Sequence, residues 1–312
     1  MLSYILKRIF VGLITVFTIA TLTFFGMHAV PGDPLLRGKA VNEVVRKNLE
    51  EKYGLNKPLM VQYGTFLVNM MKGDFGLSYT QQNRTVNEII REHFPVSAIL
   101  GALAIITAAL GGVIGGAIAA VKRNSSIDRG IMTLVILFVS VPSFVFAALG
   151  QVSIAEVKTR FGVEILPVAG WGTFKHMILP SLILGLGTMA FLARLMRSSM
   201  LEVVHQDYIR TAKAKGVSTL QIFFKHQLRN AVLPVVTFLG PAVAAITTGG
   251  FVAEIVFAIP GLGRYFVQAV QQLDYTVIMG LTVFYGAYLV LVVILVDVIY
   301  GFIDPRIRIA GA

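Results

Sequence analysis

Long blocks of apolar residues constrain this chain more than any motif does. The hydrocarbon core of a bilayer is about 30 Å thick, and roughly 20 apolar residues of helix cross it. Six blocks of about that length occur. The first lies within Met1 to Val30, with its apolar run at Ile9 to Phe25. The others are Val96 to Val121, Gly130 to Gln151, His176 to Met196, Ala231 to Val256 and Thr276 to Ile303. Within lipid the backbone must satisfy its own hydrogen bonds, and a helix does so inside one segment. The expected fold class is therefore an all-α membrane protein with six transmembrane helices. Charge density agrees: 14% of the residues are charged, against about 25% in an average soluble domain.

The blocks divide the chain. Residues 1 to 30 form the first transmembrane helix. Lys7 and Arg8 precede its apolar run as in a signal peptide, but the turn Pro31-Gly32-Asp33-Pro34 follows in place of an A-x-A site, so an uncleaved span is expected. Residues 31 to 95 form an ordered extracytoplasmic segment. Helical spacing runs through Val41 to Tyr53 and Leu59 to Met71, and Gly73 to Ser78 is a turn cluster. Thr85 with Glu88 is a capping box, opening a short helix that carries Val86, Ile89 and Ile90. Residues 96 to 303 form a five-helix core. In its first helix, Gly111, Gly112, Gly115 and Gly116 form overlapping small-xxx-small patterns. They are read as close helix packing, with a hinge or pore lining as the alternative. Pro142 is expected to kink the third span. Val152 to Lys175, with Pro167 and the single tryptophan Trp171, and Phe257 to Tyr275 are expected as loops. Residues 304 to 312 are the tail.

Six spans put both termini on one side. Lys and Arg number fourteen in the short segments on that side and four in the two short loops opposite. The positive-inside rule therefore places the termini in the cytoplasm. The net charge of +11 is accounted for by this asymmetry, and no nucleic-acid partner is expected. Cysteine is absent, which excludes disulfides and thiolate metal sites. The sequence has no G-x-x-x-x-G-K-[ST] loop, no H-E-x-x-H and no G-x-S-x-G. Neither catalytic nor cofactor or metal residues are assigned, and the chain is not expected to be an enzyme. Glu254 and Asp297 are the acids well inside spans. They are read as structural partners, because ion coupling favours groups near the midplane.

One cytoplasmic stretch stands apart, Leu201 to Pro234. It carries Arg210, Lys213, Lys215, Lys225 and Arg229 against Glu202 and Asp207. Gly216 can end one helix in the left-handed conformation, and Ser218 with Gln221 can cap the next. Leu220, Phe223 and Phe224 then share one face. Two short helices at a bend follow from this pattern, basic outside and with an apolar ridge. A chain with a pathway but no energy source would be driven by another protein gripping this element.

Tyr208-Ile209-Arg210-Thr211-Ala212-Lys213-Ala214-Lys215-Gly216, with Arg229-Asn230-Ala231-Val232-Leu233-Pro234 after it, resembles the coupling loop of bacterial ABC-importer permeases. Pro31-Gly32-Asp33-Pro34, Gly73-Asp74-Phe75-Gly76-Leu77-Ser78, Phe94-Pro95-Val96-Ser97, Pro260-Gly261-Leu262-Gly263 and Asp304-Pro305-Arg306-Ile307-Arg308 extend the likeness from end to end. The resemblance is to the peptide/nickel branch, nearest the B-type subunit of oligopeptide and dipeptide importers. Arg210 stands where the general motif has Glu, and Thr211-Ala212 is the usual form of the peptide branch. The resemblance implies a type I ABC-importer permease core in the bacterial plasma membrane, working by alternating access. It further implies a homologous second permease, two cytoplasmic ATPases and an extracytoplasmic substrate-binding protein as partners, within membrane lipid. ATPase coupling would fall to residues 201 to 230, through Arg210, Thr211, Ala212, Gly216, Leu220, Phe223 and Phe224. Nickel and glutathione importers share much of the pattern, and an ion-coupled secondary transporter is the alternative from another class.

Overall fold

The computed structural model describes residues 2–30, 47–48, 50–51, 54–81, 83–247 and 250–303. The turn at Pro31 to Pro34, most of the helical pattern at Val41 to Tyr53, the tail and the Asp297 side chain lie outside the described residues. Among the described residues the regular structure is helical, with one isolated antiparallel bridge between Leu77 and Thr85. The helices are α1 (Leu2–Ala29), α2 (Leu59–Met71), α3 (Val86–Val121), α4 (Ser126–Ser140), α5 (Ser143–Phe161) and α6 (Phe174–Val204). There follow α7 (Asp207–Ala214), α8 (Thr219–Ala231), α9 (Leu233–Thr247), α10 (Phe251–Val256), α11 (Leu262–Gln271) and α12 (Tyr275–Ile303). Two compact units result, one from residues 1–96 and 261–312, the other from 97–260.

Among the described residues four helices, α1, α3, α6 and α12, are each long and apolar enough to cross a membrane. Two further spans arise if each bent pair counts once: α4 with α5, and α8 with α9. The expected kink at Pro142 is a much larger break, 108° between α4 and α5. Pro142 disfavours helical geometry in the residue before it, and Val141 is extended, with φ −90° and ψ 127°. α5 then runs on to Phe161, through much of the stretch expected as a loop, and stops at Gly162 with φ +67°. The fifth expected span is interrupted too. α9 ends at Thr247, and α10 is a separate helix of six residues. The expected loop Phe257 to Tyr275 contains α11, which packs on α12.

In the first unit α1 lies along α12. A Cβ on Gly12 would sit 2.5 Å from Val290 Cγ1, and one on Gly286 would sit 2.7 Å from Ile19 Cδ1. These glycines let the two backbones approach as small residues do in lipid. At one end Phe24 packs on Phe66, Tyr63 and Phe25, with ring centroids 5.3–5.5 Å away. The Thr85–Glu88 box forms as expected: Glu88 N–H donates to Thr85 Oγ1 (3.1 Å), and Thr85 N–H donates to Glu88 Oε2 (2.9 Å). The helix it opens is not short. α3 continues for 36 residues with Pro95 inside it, since a proline's lost hydrogen bond is tolerated within membrane helices.

The same unit contains a knot that local sequence does not announce. Asp274, 1% exposed, precedes α12. Its carboxylate accepts from Ser78 Oγ (2.5 Å), Thr80 Oγ1 (2.9 Å), Tyr79 N–H and Thr80 N–H (both 3.1 Å). It also accepts from Val277 N–H (3.3 Å) in the first turn of α12. Charge-assisted bonds of this kind are about twice as strong as neutral ones. One side chain thus anchors residues 78–80 and caps a membrane helix.

In the second unit α3 meets α6 through the glycine pairs. A Cβ on Gly112 would sit 2.6 Å from Leu192 Cβ, and one on Gly116 would collide with Ala193 O. These two positions are therefore packing glycines, as the small-xxx-small pattern suggested. Glu254 is fully buried and accepts from Ser97 Oγ at 2.6 Å, in keeping with a structural pairing.

Candidate coupling surface

α6 delivers the chain to the basic stretch. Its last turns hold Met196 and Met200, both buried, which pack with Ala117, Leu192, Ala231 and Val235. The apolar seat of the hairpin is therefore shared among α3, α6, α8 and α9. Arg197 on α6 makes a two-pronged ion pair with Asp128 on α4: Nε to Oδ1 at 2.7 Å and Nη2 to Oδ2 at 2.8 Å. Asp128 Oδ2 also accepts from Asn124 N–H at 2.9 Å. Bidentate geometry of this kind fixes orientation as well as distance. It ties the start of α4 to the helix that leads into the hairpin.

α7 is amphipathic over two turns. Ile209 and Ala212 point inward, buried against Ile222 with Val203 and Val217 alongside. Gly216 then takes φ +72°. Its N–H donates to Lys213 O at 3.0 Å, and Val217 N–H donates to Ala212 O at 3.2 Å. These two bonds make a Schellman motif, and Val217 packing with Ala212 supplies the apolar contact that accompanies it. Ser218 Oγ accepts from Gln221 N–H at 3.4 Å, which starts α8. Sequence and structure agree at each step of this turn.

The interior of α8 is less ordinary. Residues Ile222–Leu228 are π-helical, a wide and rare geometry that recurs at functional sites. Asn230 Nδ2 bridges the hairpin, donating to Tyr208 Oη (3.1 Å) and to His226 O (2.8 Å). α8 and α9 meet at 43°.

The seven residues expected to couple divide into two groups. Arg210, Thr211, Gly216, Leu220 and Phe224 are at the surface. Ala212 is 8% exposed and Phe223 packs against the Met196 cluster; both support the surface from below. Lys213, Lys215, Lys225 and Arg229 are also exposed, so the hairpin presents a cationic face. Arg210 has Asp207 within 3.6 Å, an exposed pair of the kind that contributes little to stability. The ridge Leu220, Phe223 and Phe224 lines a groove of about 520 Å³ whose opposite wall is α3, from Val113 to Val121. The Arg197–Asp128 pair had no signal in the sequence beyond two charges 69 positions apart.

Two family models match the chain. Residues 112–309 match the binding-protein-dependent transport system inner membrane component. Residues 1–101 match the N-terminal membrane component of the same systems. The chain is 46% identical over 311 residues to the dipeptide transport system permease protein DppB of Bacillus subtilis, covering 99% of both chains. It is 43% identical over 312 residues to the oligopeptide transport system permease protein OppB of Haemophilus influenzae, covering 99% of this chain and 100% of that one. Among solved structures, it is similar to a chain of the inward-facing MetNI methionine ABC transporter, with a TM-score of 0.49 and 18% identity. That likeness covers 72% of this chain and 96% of the other.

Proposed function

Because the chain belongs to the family of inner membrane components of binding-protein-dependent transport systems, we propose that it is the peptide-conducting permease subunit of an ATP-driven importer. It is a multi-pass integral membrane protein, a transport subunit rather than an enzyme. The observation that carries the peptide reading is end-to-end similarity to permeases named for dipeptides and for oligopeptides, at 46% and 43% identity. Partial relatedness would leave the substrate class to one domain; here the match takes in 99% of the chain.

In this reading the termini and the α7–α8 hairpin face the cytoplasm, and two ATPases grip the hairpin. Its geometry suits that task. The Schellman turn fixes the angle between α7 and α8, the Ile222 cluster packs α7 against α8 and Val203 of α6, and the apolar seat joins α8 to α6. A push on the hairpin would therefore reach the membrane helices as a rigid-body movement. A homologous second permease would complete the pathway, and an extracytoplasmic binding protein would deliver the peptide.

The test is reconstitution into liposomes with the second permease, the ATPases and the binding protein. Uptake of a labelled peptide should require ATP and every one of these components. Uptake by this chain alone, driven by a proton or sodium gradient, would replace the proposal with a secondary transporter.

A further inference from the structure

The groove beside the hairpin is lined almost wholly by carbon. α3 contributes Val113, Ile114, Ala117, Ile118 and Val121, and α8 contributes Leu220, Phe223, Phe224 and Leu228. One charged side chain reaches it, Lys122, just past the end of α3. Lys122 makes no ion pair among the described residues.

The α3 wall of the groove is not an isolated patch. Ile106, Leu110, Ile114, Ile118 and Val121 are each 45–59% exposed and recur every three or four residues. They form one apolar stripe along a helix that can span a membrane. The groove is where this stripe ends, at the first cation after the apolar run. An apolar slot beside an exposed apolar stripe, with a lysine among its lining residues, matches a phospholipid in both halves. Its hydrocarbon chain would be removed from contact with polar groups, and its phosphate would meet an ammonium at the interface.

We propose that this groove holds one acyl chain of an anionic phospholipid, with the headgroup phosphate on Lys122. The lipid would then form part of the floor beneath the hairpin, touching Leu220 and Phe224 directly. The inference needs α3 in the bilayer but does not depend on ATPase docking, so it goes beyond the function proposed above. Lipid occupancy would make hairpin stiffness depend on membrane composition.

Two single-tryptophan variants of the full chain test this, both in a Trp171→Phe background. Leu220→Trp places the reporter in the groove, and Ile106→Trp places it on the open part of the stripe. Each is reconstituted in nanodiscs doped with dibrominated phosphatidylglycerol or dibrominated phosphatidylcholine. The stripe reporter, Ile106→Trp, should be quenched equally by both lipids. The groove reporter, Leu220→Trp, should be quenched at least twofold more by the phosphatidylglycerol, and adding Lys122→Glu should remove that preference. Equal quenching of the groove reporter by the two lipids would overturn the headgroup site. No quenching of the groove reporter, with the stripe reporter quenched normally, would overturn lipid occupancy and mean that protein covers the groove. The stripe reporter separates both failures from failure of α3 to sit in lipid.

Discussion

Two polar turns hold their neighbouring helices by opposite means. The α7–α8 hairpin is built from local contacts: Gly216 reverses the chain, Val217 bonds back to Ala212, and Ser218 caps the next helix. The turn at residues 78–80 is built from a remote one, since the carboxylate that organises it is Asp274, almost 200 positions away. The first is a set of small contributions, each near 1 kcal/mol for a cap or a glycine. The second concentrates several charge-assisted bonds on one buried atom pair. The hairpin should therefore weaken by degrees and keep its direction, whereas the Asp274 knot should fail as a unit.

The largest effect is expected at the knot. Asp274→Ala removes the acceptor of five hydrogen bonds and should cost about 4 kcal/mol, given roughly 1.5–3 kcal/mol for a bond to a charged group and strong non-additivity. Thermal unfolding in detergent should show the loss, and limited trypsin digestion should open the chain at Arg84. A small effect on both would mean that the turn is held by other contacts, and the contrast would disappear. Next comes the seat of the hairpin. Met196→Ala vacates a buried site shared by four helices and should cost about 3 kcal/mol, within the usual range for such truncations. Smaller still is Gly216→Ala, which asks a Cβ-bearing residue to hold φ +72°. The cost should be about 1 kcal/mol, with open space around the new methyl group. A loss near that of Asp274→Ala would show the hairpin to be as brittle as the knot.

The same contrast explains what the sequence could disclose. The hairpin was legible because capping chemistry is written in adjacent residues: Gly216, Ser218, and likewise Thr85 with Glu88. The glycine pairs at Gly112 and Gly116 were legible as packing because their spacing matches a helix face. Pro142 announced a disturbance but not its size, because the angle is set by where α5 packs afterwards. α11 was hidden in a stretch expected as a loop, between Pro260-Gly261 and the start of α12. Asp274, the Arg197–Asp128 pair and the Ser97–Glu254 contact join residues 69 to 196 positions apart, and no local pattern encodes such partners. At the candidate coupling surface, the charged positions followed from composition. The turning inward of Ala212 and Phe223 did not, since it depends on the Ile222 and Met196 clusters.

In the function proposed above, the hairpin transmits work from ATPases to the membrane helices. The direct measurement is the ratio of peptide imported to ATP hydrolysed in the reconstituted importer, for the parent chain and for Gly216→Pro. Proline cannot adopt φ +72°, so the fixed angle between α7 and α8 is lost while α6 and the spans are untouched. The account predicts that the variant remains in the membrane, ATP hydrolysis persists and uptake per ATP falls at least tenfold. An unchanged ratio, with the variant assembled at the parental level, would contradict it.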